Sequence, residues 1–349
     1  MMSKLFIPLF FAALTACSNN AHFDPSKAHH TPSGFKNINY EDNKGAVEFL
    51  KWRWGKLFKD IPEADDYHFS ADVSQHERVR QNQHEYSLTW IGHATFLIQL
   101  QGMNILTDPH FSQRASPFDW LGPKRVIEPA MQLHELPEID VVVISHDHYD
   151  SLDVESIRGL AKHKSPTDVT FIVPLGLKAW FDTLNIEGLQ VIELDWGQSH
   201  SIDNVNFIAE PSQHWSKRTL FDAFERLWAS WVIESVDRRI FFAGDTGYAD
   251  HFRLIGKKYG YFDLALLPIG AYEPRWFMKP YHVNPQEAVR IHQDIHSKYS
   301  VAMHWGTFIL TDEPLDEAPI KLREALFEAS LPLDVFEAYR HGQTRFFDD

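Results

Sequence analysis

Residues 144–151 read Ile-Ser-His-Asp-His-Tyr-Asp-Ser. His146, His148 and Asp150 recur at every second position, so an extended backbone turns all three side chains to one side. The apolar run Val141-Val142-Val143-Ile144 leads straight into them, which is how a buried strand delivers polar groups at its end. Two neutral imidazoles and a carboxylate converging in so short a stretch suit a divalent transition metal, zinc first.

Further donors follow the same kind of run: His214 after 207–211, Asp245 after 240–244, and His304 after 301–303. Gly244 precedes Asp245 and Gly306 follows His304, where glycine allows close backbone approach or unusual dihedrals. A single such placement says little in a chain with 20 histidines. Repeated, the pattern of strand and then ligand defines a site.

In this order, HxHxD followed by a distant His, Asp and His, the chain resembles the metallo-β-lactamase superfamily of dinuclear metal hydrolases. Within it the sequence is similar to the N-acylphosphatidylethanolamine-hydrolysing phospholipase D family. The likeness rests on TWIGHAT (89–95), LTDPHFSQRASP (106–117), GPKR (122–125), ISHDHYDSLD (144–153) and VPLGL (173–177). It continues through PSQHWSKRTLFD (211–222), FFAGDTGY (241–248), PIGAYEPRWFMK (268–279) and AMHWGTF (302–308), and so runs from about Leu88 to the C-terminus near Asp349.

The resemblance implies an α/β (α+β) αββα sandwich, with two mixed β-sheets packed face to face, helices outside and the metals at one open edge. It assigns His146, His148 and His214 to one ion, Asp150 and His304 to a second, and Asp245 to a bridge between them. Three neutral imidazoles leave an ion's charge intact, and two ions about 3.5–4 Å apart can clamp an in-line displacement at phosphorus. Asp150, Asp245 and His282 form the expected catalytic set. Tyr149, Gln213 and His282 are the expected substrate contacts, with His282 holding a phosphoryl oxygen or protonating the leaving alkoxide. His93 and Asp108 read as residues that orient Asp245 or a ligand histidine. Trp276 and Phe277 read as core rather than as an acyl-chain path.

The implied reaction is phospholipase D-type hydrolysis of N-acylphosphatidylethanolamine, or a related glycerophospholipid, to phosphatidic acid and an N-acylethanolamine. A lactonase or small-substrate phosphodiesterase, or a non-catalytic envelope scaffold, are the alternatives. The chain departs from the superfamily at one position: its motif is HxHxDH, and residue 151 is Ser. A hydroxyl is a poor ligand beside imidazole, so the second ion is expected to be weakened and to take a water. Asp147 or Asp153 would have to swing in as a substitute, and alternation points Asp147 away.

The 349 residues carry a net charge of −15, which argues against nucleic acid as a partner because phosphate binding needs clustered Lys and Arg. Lys4 precedes an apolar run over 5–14 that is too short to span a bilayer and has the length of a signal-peptide core. It ends in Leu14-Thr15-Ala16-Cys17, similar to a bacterial lipobox, and Cys17 is the only cysteine. The expectation is a signal peptide over 1–16 and a lipidated Cys17 that anchors the protein to the membrane surface. With Ser18 next, the anchor would lie in the outer membrane, facing the periplasm. The partners implied are a phospholipid substrate and that membrane, with a homodimer left open.

Composition reads residues 17–44 as a tether and 45–87 as an N-terminal helical extension that packs on a hydrolase domain over 88–349. The stretch 45–59 mixes Trp52, Trp54, Leu57 and Phe58 with four basic residues, and reads as a helix with aromatics packed and lysines in solvent. Strands are expected at 88–100, 141–144, 170–173, 191–194, 205–209, 229–234, 240–243 and 264–267. Helices are expected at 154–163, 175–184, 285–296 and 319–330.

Overall fold

A computed structural model describes residues 20–38, 40, 45–56, 64–163 and 168–347. The signal segment, Cys17, and Leu57 and Phe58 lie outside the described residues.

Two seven-stranded mixed sheets form the body. In the first, β3 (Ser87–Gly92), β4 (Thr95–Leu100) and β5 (Met103–Thr107) form an antiparallel meander. The parallel strands β6 (Val141–Val143), β7 (Thr170–Pro174) and β8 (Gln190–Leu194) continue it, and β16 (Thr344–Phe346) closes the other edge against β3. The second repeats the plan. There β10 (Val205–Glu210), β11 (Ser230–Glu234) and β12 (Arg239–Phe242) are antiparallel, followed in parallel by β13 (Leu264–Pro268), β14 (Ser300–Met303) and β15 (Phe336–Glu337), with β9 (Ser199–Ile202) on the outer edge.

The side-chain period of two builds the layers. Val141 and Val143 face the shared core with Trp90, Phe96, Phe207 and Trp231, while Val142 faces outward with Leu106 and Phe171. That outer face is covered by α3 (Val154–His163) and α4 (Lys178–Asp182). Outside the second sheet lie α5 (His251–Tyr259), α7 (Pro285–Asp294) and α8 (Glu317–Glu328), whose Phe252, Val289 and Leu322 join the core. The start of α7 is fixed by a capping box: Asn284 accepts the Glu287 backbone N–H, and Pro285 occupies the first turn.

The run at 88–100 is two strands, not one. Gly92 (φ +143°) and His93 (φ +54°) turn the chain, and the Trp90 indole donates to the His93 carbonyl at 2.9 Å. Apolar residues flank Gly92-His93 on both sides, so the two strands read as one run. Strands β5, β9, β14, β15 and β16 and helix α5 also go beyond the expected elements; several are short or lie at sheet edges, where patterning is weak.

The N-terminal residues are tied to the body. A ribbon of β1 (His30–Thr31) and β2 (Gly34–Phe35) lies beside Asp195, which faces His29 at 2.7 Å and His30 at 3.0 Å and accepts from Lys27. In α1 (Ala46–Lys56), Trp52 is buried on Phe277 and its indole donates to Asp312. Phe49, Leu50 and Trp54 of the same helix are exposed, so only part of its aromatic face packs. Trp276, in the short α6 (Arg275–Met278), is 48% exposed rather than core, because α6 sits at the surface under α1. The six-residue α2 (His76–Gln81) is the remaining α-helix among the described residues. Among the described residues no helix is long and apolar enough to cross a membrane.

Candidate metal centre

Every donor in the sequence pattern follows the C-terminal end of a strand pointing to one edge of the sandwich. His146 follows β6, His214 follows β10, Asp245 follows β12 and His304 follows β14, while His93 sits on the turn after β3. Strand ends leave backbone groups unpaired, and indole N–H groups pin these loops. Trp231 donates to the Ile144 carbonyl and Trp228 to the Ser212 carbonyl.

The Nδ1 of His148 lies 3.0 Å from His146 Nε2 and 3.1 Å from His214 Nε2. Donors at about 2.0–2.1 Å from a tetrahedral zinc are separated by about 3.3 Å, so this triad has the size of a zinc-binding face. Two of its rings are oriented from behind. His214 Nδ1 faces the Tyr281 carbonyl at 3.0 Å, and His146 Nδ1 faces Ser145 Oγ at 2.8 Å. Ser145 in turn donates to the buried Asp108 through both its N–H and its Oγ. Asp108 therefore orients His146 through Ser145.

Beside the triad, His304 Nε2 lies 3.0 Å from Asp245 Oδ2 and 3.2 Å from Asp150 Oδ2. His146 Nε2 is 3.8 Å from the same Asp245 oxygen, so Asp245 stands between the two groups. His93 reaches Asp150 rather than Asp245, with Nε2 3.1 Å from Oδ2. Gly244 (φ +58°) lets β12 end against Ser145, and a Cβ there would lie 2.5 Å from the Ser145 Cβ. Gly306 also takes a left-handed conformation (φ +67°).

The electrostatics match a cation. Burial, with His148 nearby, lowers His146 to about 3, and burial with His146 lowers His214 well below its usual range. Both are therefore neutral donors. Against burial, hydrogen bonds from His304 and His93 hold Asp150 well below the ordinary carboxylate range, and the charge of His304 does the same for Asp245. Although burial opposes it, Asp245 and Asp150 raise His304 to about 10. Two carboxylates, Asp245 buried and Asp150 partly so, thus demand positive charge, and a divalent ion supplies it in place of a proton. These residues fit a divalent metal.

The expected substrate contacts separate. His282 lies over the centre, its Nδ1 3.9 Å from Asp245 Oδ2 and its ring 5.2 Å from His214 and 5.6 Å from His304. Arg275 fixes its backbone by donating to the His282 carbonyl at 2.8 Å while binding Glu287 of α7. The Gln213 amide is committed to the Pro280 carbonyl at 2.8 Å, so it supports the His282 segment from beneath. Tyr149 is half-buried; its hydroxyl donates to the Arg218 carbonyl, and the Arg218 guanidinium lies over its ring.

Sequence reasoning missed the basic residues that hold the HxHxD loop. Arg218 donates to the carbonyls of Asp147 and Leu152, both at 2.8 Å, and Arg226 binds the Asp147 carboxylate. Arg218 stands in the quoted 211–222 motif, but nothing in the spacing of Arg226 marks it as a partner of Asp147.

A sandwich of two mixed sheets with this donor set at its edge defines a metal-dependent hydrolase of the metallo-β-lactamase fold. Residues 103–305 match the model of the β-lactamase superfamily domain. A metallo hydrolase from Ignicoccus hospitalis shares the fold, with a TM-score of 0.54 and 22% identity over 76% of this chain and 99% of that one. The chain belongs, within that superfamily, to the N-acyl-phosphatidylethanolamine-hydrolysing phospholipase D family. It is 43% identical to the Caenorhabditis elegans protein named N-acyl-phosphatidylethanolamine-hydrolyzing phospholipase D 1, over 68% of this chain and 69% of that protein. It is 36% identical to the mitochondrial protein of that name from Saccharomyces cerevisiae, over 81% of this chain and 60% of that protein.

Proposed function

We propose that this protein is a zinc-dependent phosphodiesterase that hydrolyses N-acylphosphatidylethanolamine, or a related glycerophospholipid, to phosphatidic acid and an N-acylethanolamine. The observation that carries this reading is Asp245, standing between an imidazole triad and a second acidic group in a chain of this family. His146, His148 and His214 would hold one ion, Asp150 and His304 the second, with Asp245 shared. Bound there, the ions would acidify water near neutral pH and neutralise the phosphodiester's charge.

The chain's own groups then orient the substrate. Burial lowers His282 to about 4, so near pH 7 it is neutral and hydrogen-bonds a phosphoryl oxygen rather than carrying a proton to the leaving alkoxide. Tyr149, half-buried between His148 and Asp150 in the HxHxD loop, would line the approach. Loops leaving the same edge present apolar side chains to solvent: Phe118, Trp120 and Leu121 after Asp108, and Leu220 and Phe221 after His214. Such side chains suit the headgroup–acyl boundary of a bilayer, where a lipid substrate resides. A lipidated Cys17 would hold the protein on that surface, in the outer membrane facing the periplasm.

The test is product analysis. Zinc-loaded protein is given vesicles of N-acylphosphatidylethanolamine, phosphatidylethanolamine or phosphatidylcholine, and the products are identified by mass spectrometry. Phosphatidic acid with the N-acylethanolamine is expected. Diacylglycerol, or free fatty acid alone, would overturn the reading.

A further inference from the structure

Ser151 removes an imidazole from the acidic side of the centre, and its Oγ is buried with no hydrogen-bond partner. Neither nearby carboxylate is free to replace it. Asp147 receives the Lys217 N–H at 2.7 Å and Arg226 at 2.8 Å. Asp153 Oδ2 caps the start of α3, taking the N–H and Oγ of both Ser112 and Ser156. Moving either carboxylate would strand several donors, each costing about 1–3 kcal/mol when buried.

We propose that His93 supplies the missing imidazole and is a ligand of the second ion, with Asp150, His304 and Asp245. This rests on the two-ion reading above. His93 Nε2, His304 Nε2 and Asp150 Oδ2 form a cluster in which both imidazole nitrogens lie 3.1–3.2 Å from the same carboxylate oxygen. A histidine that merely steadies a ligand carboxylate grips the oxygen turned away from the ion; His93 instead converges with His304 on one oxygen. The two rings lie 4.1 Å apart, and His93 is 1% exposed with its Nδ1 unpartnered.

The backbone is arranged to place this ring. His93 (φ +54°) and His304 (φ +62°) are both left-handed, a conformation that side-chain-bearing residues adopt at a cost. The His304 N–H donates to the His93 carbonyl at 3.0 Å, and the His93 N–H to Thr307 Oγ1 at 2.9 Å. The strained turn thus locks His93 to the strand end that carries an expected ligand.

Zinc titration of metal-stripped protein against a chromophoric chelator tests this on wild type, His93→Ala, Ser151→His and the double variant. Wild type should take two ions. His93→Ala should keep the first and weaken the second by more than the roughly 10–100-fold that loss of an outer-shell partner costs. Ser151→His should change wild type little, and in the His93→Ala background it should restore the second ion. A loss of about 100-fold or less in His93→Ala, which a merely supporting histidine would give, overturns the proposal, as does failure of the double variant to recover. An ion count of one in wild type would sink the two-ion reading itself, and two ions without lipid turnover would sink only the substrate. Should His93→Ala not fold, a crystal structure of zinc-loaded wild type decides. His93 Nε2 at about 2.0–2.1 Å from the ion supports the assignment, and water or Ser151 Oγ in that place refutes it.

Discussion

The Arg226 guanidinium lies 2.8 Å from Asp147 and 2.8 Å from Asp222, and Asp147 is fully buried between His146 and His148. This ion pair joins the loop after β6 to the loop after β10, the two segments that deliver the imidazole triad. Removing Arg226 leaves a buried carboxylate with only backbone support.

Arg226→Ala should therefore cost about 3 kcal/mol or more, as loss of one partner of a buried pair does. Urea unfolding measures it. Adding Asp147→Asn should recover part of the loss, since the uncompensated charge is then gone; a double variant no better than the single would show that the pair is not the cause.

A Cβ on Gly270 would lie 2.0 Å from the His304 carbonyl oxygen. Gly270→Ala must push His304 out of place, costing about 1–3 kcal/mol of overpacking and weakening zinc binding. Gly55 of α1 has nothing within 4 Å of such a Cβ, so Gly55→Ala should hold or raise stability. Thermal melts and zinc content of both variants make the comparison.

Asp195 is held well below the usual carboxylate range, against its burial, by His29 and Lys27. A depressed folded pKa gives stability that is complete above the unfolded value of about 4 and lost as pH falls below it. Residues 20–38 should stay docked at pH 5, and Asp195→Ala should release them at pH 7. Trypsin cutting after Lys27 and Lys36 reads this out, and unchanged cutting in Asp195→Ala would refute it.

His292 is buried between α7 and β14, its Nδ1 2.8 Å from Ser300 Oγ, and burial lowers it to about 4. As pH falls below the unfolded value of about 6.5, the unfolded chain takes a proton that the folded one refuses, so stability drops by up to about 1.4 kcal/mol per pH unit until pH 4. His292→Asn should flatten that slope in unfolding experiments between pH 7 and 4. An unaltered slope would place the proton uptake elsewhere.

Mature protein extracted from membranes should begin at an acylated Cys17, from the lipobox-like Leu14-Thr15-Ala16-Cys17. N-terminal mass spectrometry checks it, and an intact residue 1 or an unmodified Cys17 would exclude the anchor.

The sequence by itself pointed to the family, the two-sheet class and the residues His146, His148, Asp150, His214, Asp245 and His304, which the structure gathers at one edge. The family, the sandwich and the grouping of these residues came from the motif resemblance, while strand periodicity supplied only the strands that end beside them, because periodicity is a local signal written in adjacent residues. It did not determine what stands opposite Ser151. His93 lies 57 positions from Asp150, on a left-handed turn between two apolar strands. Nor could it show that Gln213 is committed to the Pro280 carbonyl, that Arg226 reaches Asp147, or that Trp276 is exposed. Those outcomes depend on which strand ends the two sheets bring to a common edge. Side-chain partners there are chosen by distance in space, and no spacing along the chain encodes it.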